Sequence, residues 1–151
     1  MSYETTYNAF RELIQEQPCF NEALALLKNG REIKILLDGQ HECALFYSQS
    51  AAQLEYRKAQ NADIEFHVHT EAVRTLKGQQ PMNMAQFGIA VVKQILAGNA
   101  KVHVISGMMS VMSGGYFKII KSAGPEFMGY LAQHGFKNIA KLQGLISSLR
   151  K

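Results

Sequence analysis

Three histidines and one glutamate are the side chains whose types and spacing can support chemistry. Residues 64–68, IEFHV, alternate apolar with polar side chains, so His67 and His69 share one face of a predicted strand with Glu65. His103 occupies an equivalent outer position in KVHVIS, a second alternating stretch. Were the two strands neighbours, three imidazoles would meet. Three nitrogens at about 2.0–2.1 Å from a zinc ion leave a fourth position open for an activated water.

This metal hypothesis is the lesser one, because histidines that alternate on an exposed strand are ordinarily solvated and their spacing is not that of a helical HExxH motif. The sequence contains no G-x-S-x-G elbow, no GxxxxGK(S/T) phosphate loop and no GxGxxG after a strand. We therefore assign no catalytic residue, no metal and no cofactor. The protein is expected not to be an enzyme, and the histidines are expected to face water.

The composition is that of one folded domain spanning residues 1–151. Of its residues, 47% are hydrophobic and 19% charged, and a chain of this length folds without disulfides or a structural metal. Cys19 and Cys43 form no C-x-x-C pair and are expected to be buried. Because neither a signal peptide nor a run of about twenty apolar residues is apparent, we expect a cytoplasmic protein.

The net charge of +4 hides a basic C-terminal third. Residues 101–151 contain seven Lys and Arg residues against a single acidic residue, Glu126. This end is either a solvated face that keeps the protein soluble or a surface for transient contact with anionic lipid headgroups, at about 1 kcal/mol per lysine. Nucleic acid is not an expected partner, because the basic residues are scattered without interleaved aromatic side chains.

The elements that must position these residues follow from the periodicity. A first helix ends at Pro18, and a second has Asn21 as its expected N-cap and Gly30 as its stop. The segments REIKILLDG, ECALFYS and AAQLEYRKA then show period two, and Asp38-Gly39 predicts a hairpin between the first two. These three strands are predicted to form a meander.

Two further strands and several helices complete the chain. The strand IEFHVH is followed by the helix TEAVRTLKG, with Thr70 as its expected cap and Gly78 at its end. A longer helix, AQFGIAVVKQILAGN, the strand KVHVIS, a Met-rich segment and a basic amphipathic helix, FKNIAKLQGLISSLRK, come next. The order favours an α+β domain, with a five-stranded, largely antiparallel sheet packed on one face by helices.

This order and the local text resemble the sterol carrier protein 2 (SCP2) family of lipid-binding domains. The resemblance rests on ADIEFHVHT, EAVRTLKG and KVHVISG, with Asp63, Gly78 and Gly107 at the matching positions, and covers about residues 8–135. It implies a hydrophobic cavity between the sheet and the C-terminal helices that accepts fatty acyl chains, sterols or other lipids. The longer helix 85–97, the Met-rich tail and an SSLRK ending in place of a peroxisomal Ser-Lys-Leu indicate a bacterial-type stand-alone domain.

Given this resemblance, an adaptable apolar cavity is the main functional prediction. Six of the seven methionines lie at or after Met82, and unbranched methionine side chains adjust to chains of different length. Gly114 and Gly115 would let this segment bend open. The alternative is that these apolar residues merely fill the core. The predicted ligand-binding residues are Ile64, Phe66, Val68, Phe87, Val91, Met108, Met109, Met112, Phe117, Phe127, Met128 and Leu131.

The predicted function is non-enzymatic binding or transfer of a hydrophobic ligand such as a fatty acyl, sterol-like or prenyl lipid. The alternative is a protein-interaction accessory module of a lipid or quinone pathway, with the final helix as its contact surface. The least expected function is a metal hydrolase built on His67, His69 and His103.

Overall fold

The chain forms a mixed five-stranded sheet with helices before, between and after its strands. The structure is a computed structural model that describes residues 3–107, 110 and 113–133, with the side chains of Tyr3 and Phe117 left aside. In chain order the elements are α1 (Tyr3–Glu16), α2 (Cys19–Leu24), β1 (Glu32–Leu37), β2 (His41–Ser48), β3 (Ala51–Glu55), β4 (Ala62–Val68), α3 (Thr70–Leu76), α4 (Met84–Leu96), β5 (Ala100–Val104), α5 (Tyr116–Ala123) and α6 (Pro125–Gln133). The predicted α+β class is confirmed.

The strand order in the sheet is β3-β2-β1-β4-β5. The pairs β1–β2, β2–β3 and β4–β5 are antiparallel, whereas β1 and β4 are parallel. The sheet is therefore largely antiparallel, as predicted, with one parallel pairing at its centre. The parallel pairing arises because the chain crosses from β3, at one edge, to the far side of β1.

Hydrogen bonds to Glu32 hold this crossing connection in place. Arg57 donates to both Glu32 carboxylate oxygens, at 2.9 and 2.8 Å, and the backbone N–H of Gln60 donates to one of them at 2.7 Å. The Arg57 guanidinium thereby holds the pKa of the Glu32 carboxyl below its ordinary value. The start of β1 is thus tied to the segment that leads into β4.

One face of the sheet forms the main hydrophobic core. Burial alternates along β1, so that Ile33, Ile35 and Leu37 face the core and Lys34 faces the other side. Helices α1, α2, α3 and α5 contribute to this core, which confirms that helices pack on one face. The buried members of the main core are Phe10, Ile14, Leu24, Leu27, Ile33, Ile35, Leu37, Cys43, Leu45, Leu54, Ile64, Val73, Val104 and Tyr116.

The predicted hairpin turn between β1 and β2 is confirmed. Asp38 and Gly39 both have positive φ, 52° and 76°, and the N–H of Gln40 donates to the carbonyl of Leu37 at 3.1 Å. This is the mirror-image geometry that matches the twist of a two-stranded hairpin. Cys19 and Cys43 are both buried, as predicted, and burial raises the pKa of each thiol to about 11.

The predicted cap of α2 is wrong. The helix begins at Cys19, directly after Pro18, so Asn21 lies inside it. The Asn21 side chain instead accepts a hydrogen bond from the backbone N–H of Ala52 at 2.8 Å. The helix also ends at Leu24, well before the predicted stop at Gly30. The Asn21 side chain, predicted to cap the helix, therefore binds the backbone of β3 instead.

The predicted cap of α3 is wrong by one residue. His69 is the N-cap, and Thr70 is the first helical residue. Thr70 donates from its backbone N–H and from its hydroxyl to the Asp38 carboxylate, at 2.8 Å each. Burial would raise the pKa of Asp38, but the two hydrogen bonds from Thr70, together with smaller effects of His69 and Thr6, hold the pKa below its ordinary value. The β1–β2 turn thus supplies the capping carboxylate of α3.

Helices α4, α5 and α6 form a second hydrophobic cluster. Its buried members are Ala85, Phe127 and Leu131, with Ile89, Val92, Ile120, Ala123 and Met128 packed against them. Helix α4 begins with a reciprocal capping box between Asn83 and Gln86. The second cluster belongs to the C-terminal half of the chain, whereas the main core is built on the sheet.

Two further sequence predictions concern membranes and the C-terminal end. In the part of the chain that the structure describes, no helix is both long and apolar enough to cross a membrane. The basic amphipathic helix predicted over residues 136–151 lies outside the described residues.

Candidate functional site

The sheet contributes three of the twelve predicted ligand-binding residues. Ile64 is buried in the main core, and Phe66 and Val68 are half-buried against it. All three project from the helix-covered face of β4, since Phe66 pairs in register with Ile35 and Val68 with Leu37. Their alternation in the sequence is therefore reproduced in the structure.

The helices contribute five more whose side chains the structure describes. Phe127 and Leu131 are buried in the second cluster, and Met128 packs against them. Phe87 and Val91 are half-buried on α4, and the Phe87 ring lies 4.9 Å from that of Phe20 in an edge-to-face contact. Of the described members, three therefore lie at the sheet core and three in the second cluster, while Phe87 and Val91 lie on α4 outside both.

Part of the predicted set is not described by the structure. Met108, Met109 and Met112 lie outside the described residues, and Phe117 lies in α5 without a described side chain. A cavity of about 340 Å³ lies instead between α1 and α3, away from the predicted set. It is lined by Thr6, Ala9, Thr70, Val73, Arg74, Lys77 and Gly78.

Most of the large apolar side chains of helix α4 are incompletely buried. Its sequence, MAQFGIAVVKQIL, is apolar around most of its circumference, yet Ala85 and Gln94 are its only buried residues. Leu96 is 57% exposed, and the remaining large apolar side chains of the helix are half-buried. A helix that is apolar nearly all round normally lies in the middle of a core. Here it lies beside β5 and packs against α5 and α6, and the residues that the structure describes leave part of its apolar surface exposed.

A buried carboxylate ties the sheet to the C-terminal helices. Asp63 is 1% exposed, and Arg31 Nη1 donates to both of its oxygens, at 2.9 and 2.7 Å. The Ser110 hydroxyl donates to Asp63 Oδ1 at 2.6 Å, and the Tyr116 hydroxyl donates to Oδ2 at 3.5 Å. Burial, and then the Asp63 charge, raises the pKa of Tyr116. The sequence marked Asp63 only as a match to the family pattern, and nothing in it indicated these partners.

The histidines are expected from the sequence to face water, and the structure leaves the His67 side chain 26% exposed, in contact with a buried glutamate. Glu65 is 1% exposed on the face of the sheet opposite the helices. Its Oε2 lies 2.6 Å from His67 Nε2, and its Oε1 lies 2.9 Å from Lys34 Nζ. The hydrogen bond from Lys34 to this carboxylate raises the pKa of the lysine. His103 lies directly opposite Glu65 in the β4–β5 register, with its ring 4.9 Å from that of His67.

His69 does not join this group. Strand β4 ends at Val68, so His69 leaves the sheet and caps α3. Its Nδ1 lies 3.8 Å from Asp38 Oδ1, and its side chain is 53% exposed. The structure therefore brings together Glu65, His67 and His103, not the three histidines that the sequence suggested.

Comparisons with known proteins concern the fold. No protein-family model matches the chain, and no curated protein matches it significantly. Among solved structures, the chain is similar to one titled "UbiJ-SCP2 Ubiquinone synthesis protein", at 16% sequence identity and a TM-score of 0.43, over 82% of this chain and 100% of the other. That title names the family that the sequence resembles.

Proposed function

We propose that this domain is a non-enzymatic cytoplasmic carrier of a hydrophobic ligand, such as an acyl, prenyl or sterol-like lipid. The ligand would lie between the helix-covered face of β4 and β5 and the apolar surface of α4. The observation that carries this proposal is the apolar surface of α4 that the described residues leave exposed, because a folded domain has no structural need for a helix that is apolar over most of its circumference and only partly buried.

The side chains on both sides of this position are hydrocarbon. Phe66, Val68 and Val102 project half-buried from the sheet, and Phe87 and Val91 project half-buried from α4. None of these five supplies a nucleophile, an acid or a base. They support binding of an apolar chain, and they do not support a reaction on it.

The affinity would come from burying the chain. Each buried methylene contributes about 0.8 kcal/mol, so a chain of about twelve methylenes gains roughly 10 kcal/mol before the costs of association. One methylene more or less changes binding by only about fourfold on this scale. The carrier is therefore expected to discriminate weakly between lipids of similar length.

The described basic residues of the C-terminal third support a transient contact with an anionic membrane surface, the natural source of such a ligand. Lys101, Lys118 and Lys121 are all exposed. Each contributes about 1 kcal/mol close to an anionic bilayer, and the contribution is screened by salt.

Mass spectrometry and fluorescent fatty-acid binding test the proposal. Protein purified without detergent is expected to release a lipid on denaturation, and Val91→Asp is expected to weaken fatty-acid binding at least tenfold by placing a charge against the chain. Leu96→Asp is the matched control, because the same change on the same helix falls on a side chain that is 57% exposed. Circular dichroism verifies that both variants remain folded.

The opposite result would favour an interaction module. If the protein carries no lipid, ignores fluorescent fatty acids, and the two variants behave alike, the carrier proposal is wrong. The apolar surface of α4 would then be a contact surface for a protein partner.

A further inference from the structure

We propose that Glu65, His67 and His103 form a binding site for a divalent first-row transition-metal ion, such as Zn²⁺, on the face of the sheet opposite the helices. This site lies on the other side of the sheet from the proposed lipid position. A test of metal binding is therefore independent of a test of the carrier function.

The strand register brings the three side chains together. Glu65 and His67 are two residues apart on β4 and so project from the same face. His103 on β5 is directly opposite Glu65, and therefore diagonal to His67. One ligand atom from each residue can be chosen so that all three lie within 4.8 Å of one another.

The chemistry of the donor set selects the ion. Two imidazole nitrogens and one carboxylate oxygen are typical ligands of zinc, and imidazole also suits copper and nickel, whereas Mg²⁺ and Ca²⁺ prefer oxygen donors alone. Around a tetrahedral zinc, neighbouring ligand atoms lie about 3.3 Å apart. Small side-chain rotations that open the 2.6 Å contact between Glu65 and His67 and draw in His103 reach that spacing.

The surroundings of Glu65 orient its carboxylate for this role. Lys34 Nζ holds Oε1 at 2.9 Å, so Oε2 is the oxygen presented to His67. Metal-ligating side chains are regularly held in place by hydrogen bonds from neighbouring residues that do not touch the metal. The positive charge of Lys34 opposes a cation, and the Glu42 carboxylate, 3.8 Å from the same Nζ, offsets part of it. The fourth coordination position would be open to water.

A zinc titration of chelator-treated full-length protein tests the site. Calorimetry is expected to show about one equivalent of Zn²⁺ bound, and Co²⁺ is expected to give the visible absorption of a tetrahedral site. His67→Gln and His103→Gln are each expected to weaken binding at least tenfold, since disturbing even an outer-sphere partner has an effect of this size. His69→Gln is the matched control, because that side chain lies outside the cluster and is 53% exposed.

Glu65→Gln tests the carboxylate separately. It is expected to weaken zinc binding at least tenfold while circular dichroism stays unchanged. If this variant does not fold, the two histidine variants carry the test, because their side chains are only half-buried. Uptake of less than about a tenth of an equivalent of Zn²⁺ by the wild-type protein, or equal binding by the His67→Gln/His103→Gln double variant, would overturn the proposal.

Discussion

Replacing Asp63 by Asn is expected to loosen the attachment of the C-terminal helices to the sheet. The Asp63 carboxylate accepts from Arg31, Ser110 and Tyr116 while being 1% exposed. An asparagine of the same shape keeps one acceptor oxygen but turns an amide N–H₂ group toward the remaining donors. It also leaves the Arg31 guanidinium without its counter-charge.

The magnitude follows from the burial of the two charges. Breaking a buried ion pair costs about 3–5 kcal/mol. The Arg31 side chain is 19% exposed and can turn its guanidinium partly to water, which lowers the cost below this range, to about 2–3 kcal/mol. For a domain of this size, each kcal/mol lowers the melting temperature by about 2–4 °C. We therefore expect a decrease of roughly 5–10 °C.

Urea unfolding followed by circular dichroism measures this cost, and two milder variants calibrate it. Ser110→Ala removes one hydrogen bond and is expected to cost about 1 kcal/mol. Tyr116→Phe is expected to cost less, because its hydroxyl lies 3.5 Å from Asp63, at the limit of a hydrogen bond. An Asp63→Asn variant within about 0.5 kcal/mol of wild type, or a Tyr116→Phe variant as unstable as Asp63→Asn, would refute the reasoning.

Two other predictions concern packing and pH. Gly88→Ala is expected to lower the free energy of unfolding by about 1 kcal/mol in thermal denaturation, because the new Cβ would lie 2.8 Å from the Phe127 ring and the clash exceeds the gain in helix propensity; a stabilised variant would contradict the close contact of α4 with α6. The fold holds the pKa of Asp38 below the value of about 3.9 that this carboxyl has in the unfolded chain, so the ionised carboxylate stabilises the folded protein above about pH 3.9. This stability is lost as the pH falls through the lower pKa of the folded protein. Wild type is therefore expected to lose more stability than Asp38→Asn between pH 5 and pH 2, and equal losses would show that the Thr70 hydrogen bonds do not stabilise the charge.

The elements of this fold could be predicted wherever the signal is local. Alternation in β1 places Ile33, Ile35 and Leu37 in the core, and Asp38-Gly39 forms the predicted turn because both residues tolerate positive φ. A second turn of positive φ, at Gln49 and Ser50, carries no comparable sequence signal.

The helix caps show where a local signal fails. Asn21 and Thr70 are favourable capping residues in any sequence, but the hydrogen-bonding groups of both are engaged by partners that are distant in the chain, Ala52 and Asp38. A side chain has few hydrogen-bonding groups, and the tertiary contact decides which of the competing partners it meets.

The sequence by itself determined that Glu65 and His67 share one face of a strand, because successive side chains alternate whatever the rest of the fold does. Only the tertiary structure decided that β4 joins β1 in parallel and β5 in antiparallel register, which places His103 opposite Glu65 and leaves His69 beyond the end of the strand. Partner and register depend on where a long connection closes and on which apolar faces are buried together. These are properties of the whole chain, and no short stretch of sequence contains them.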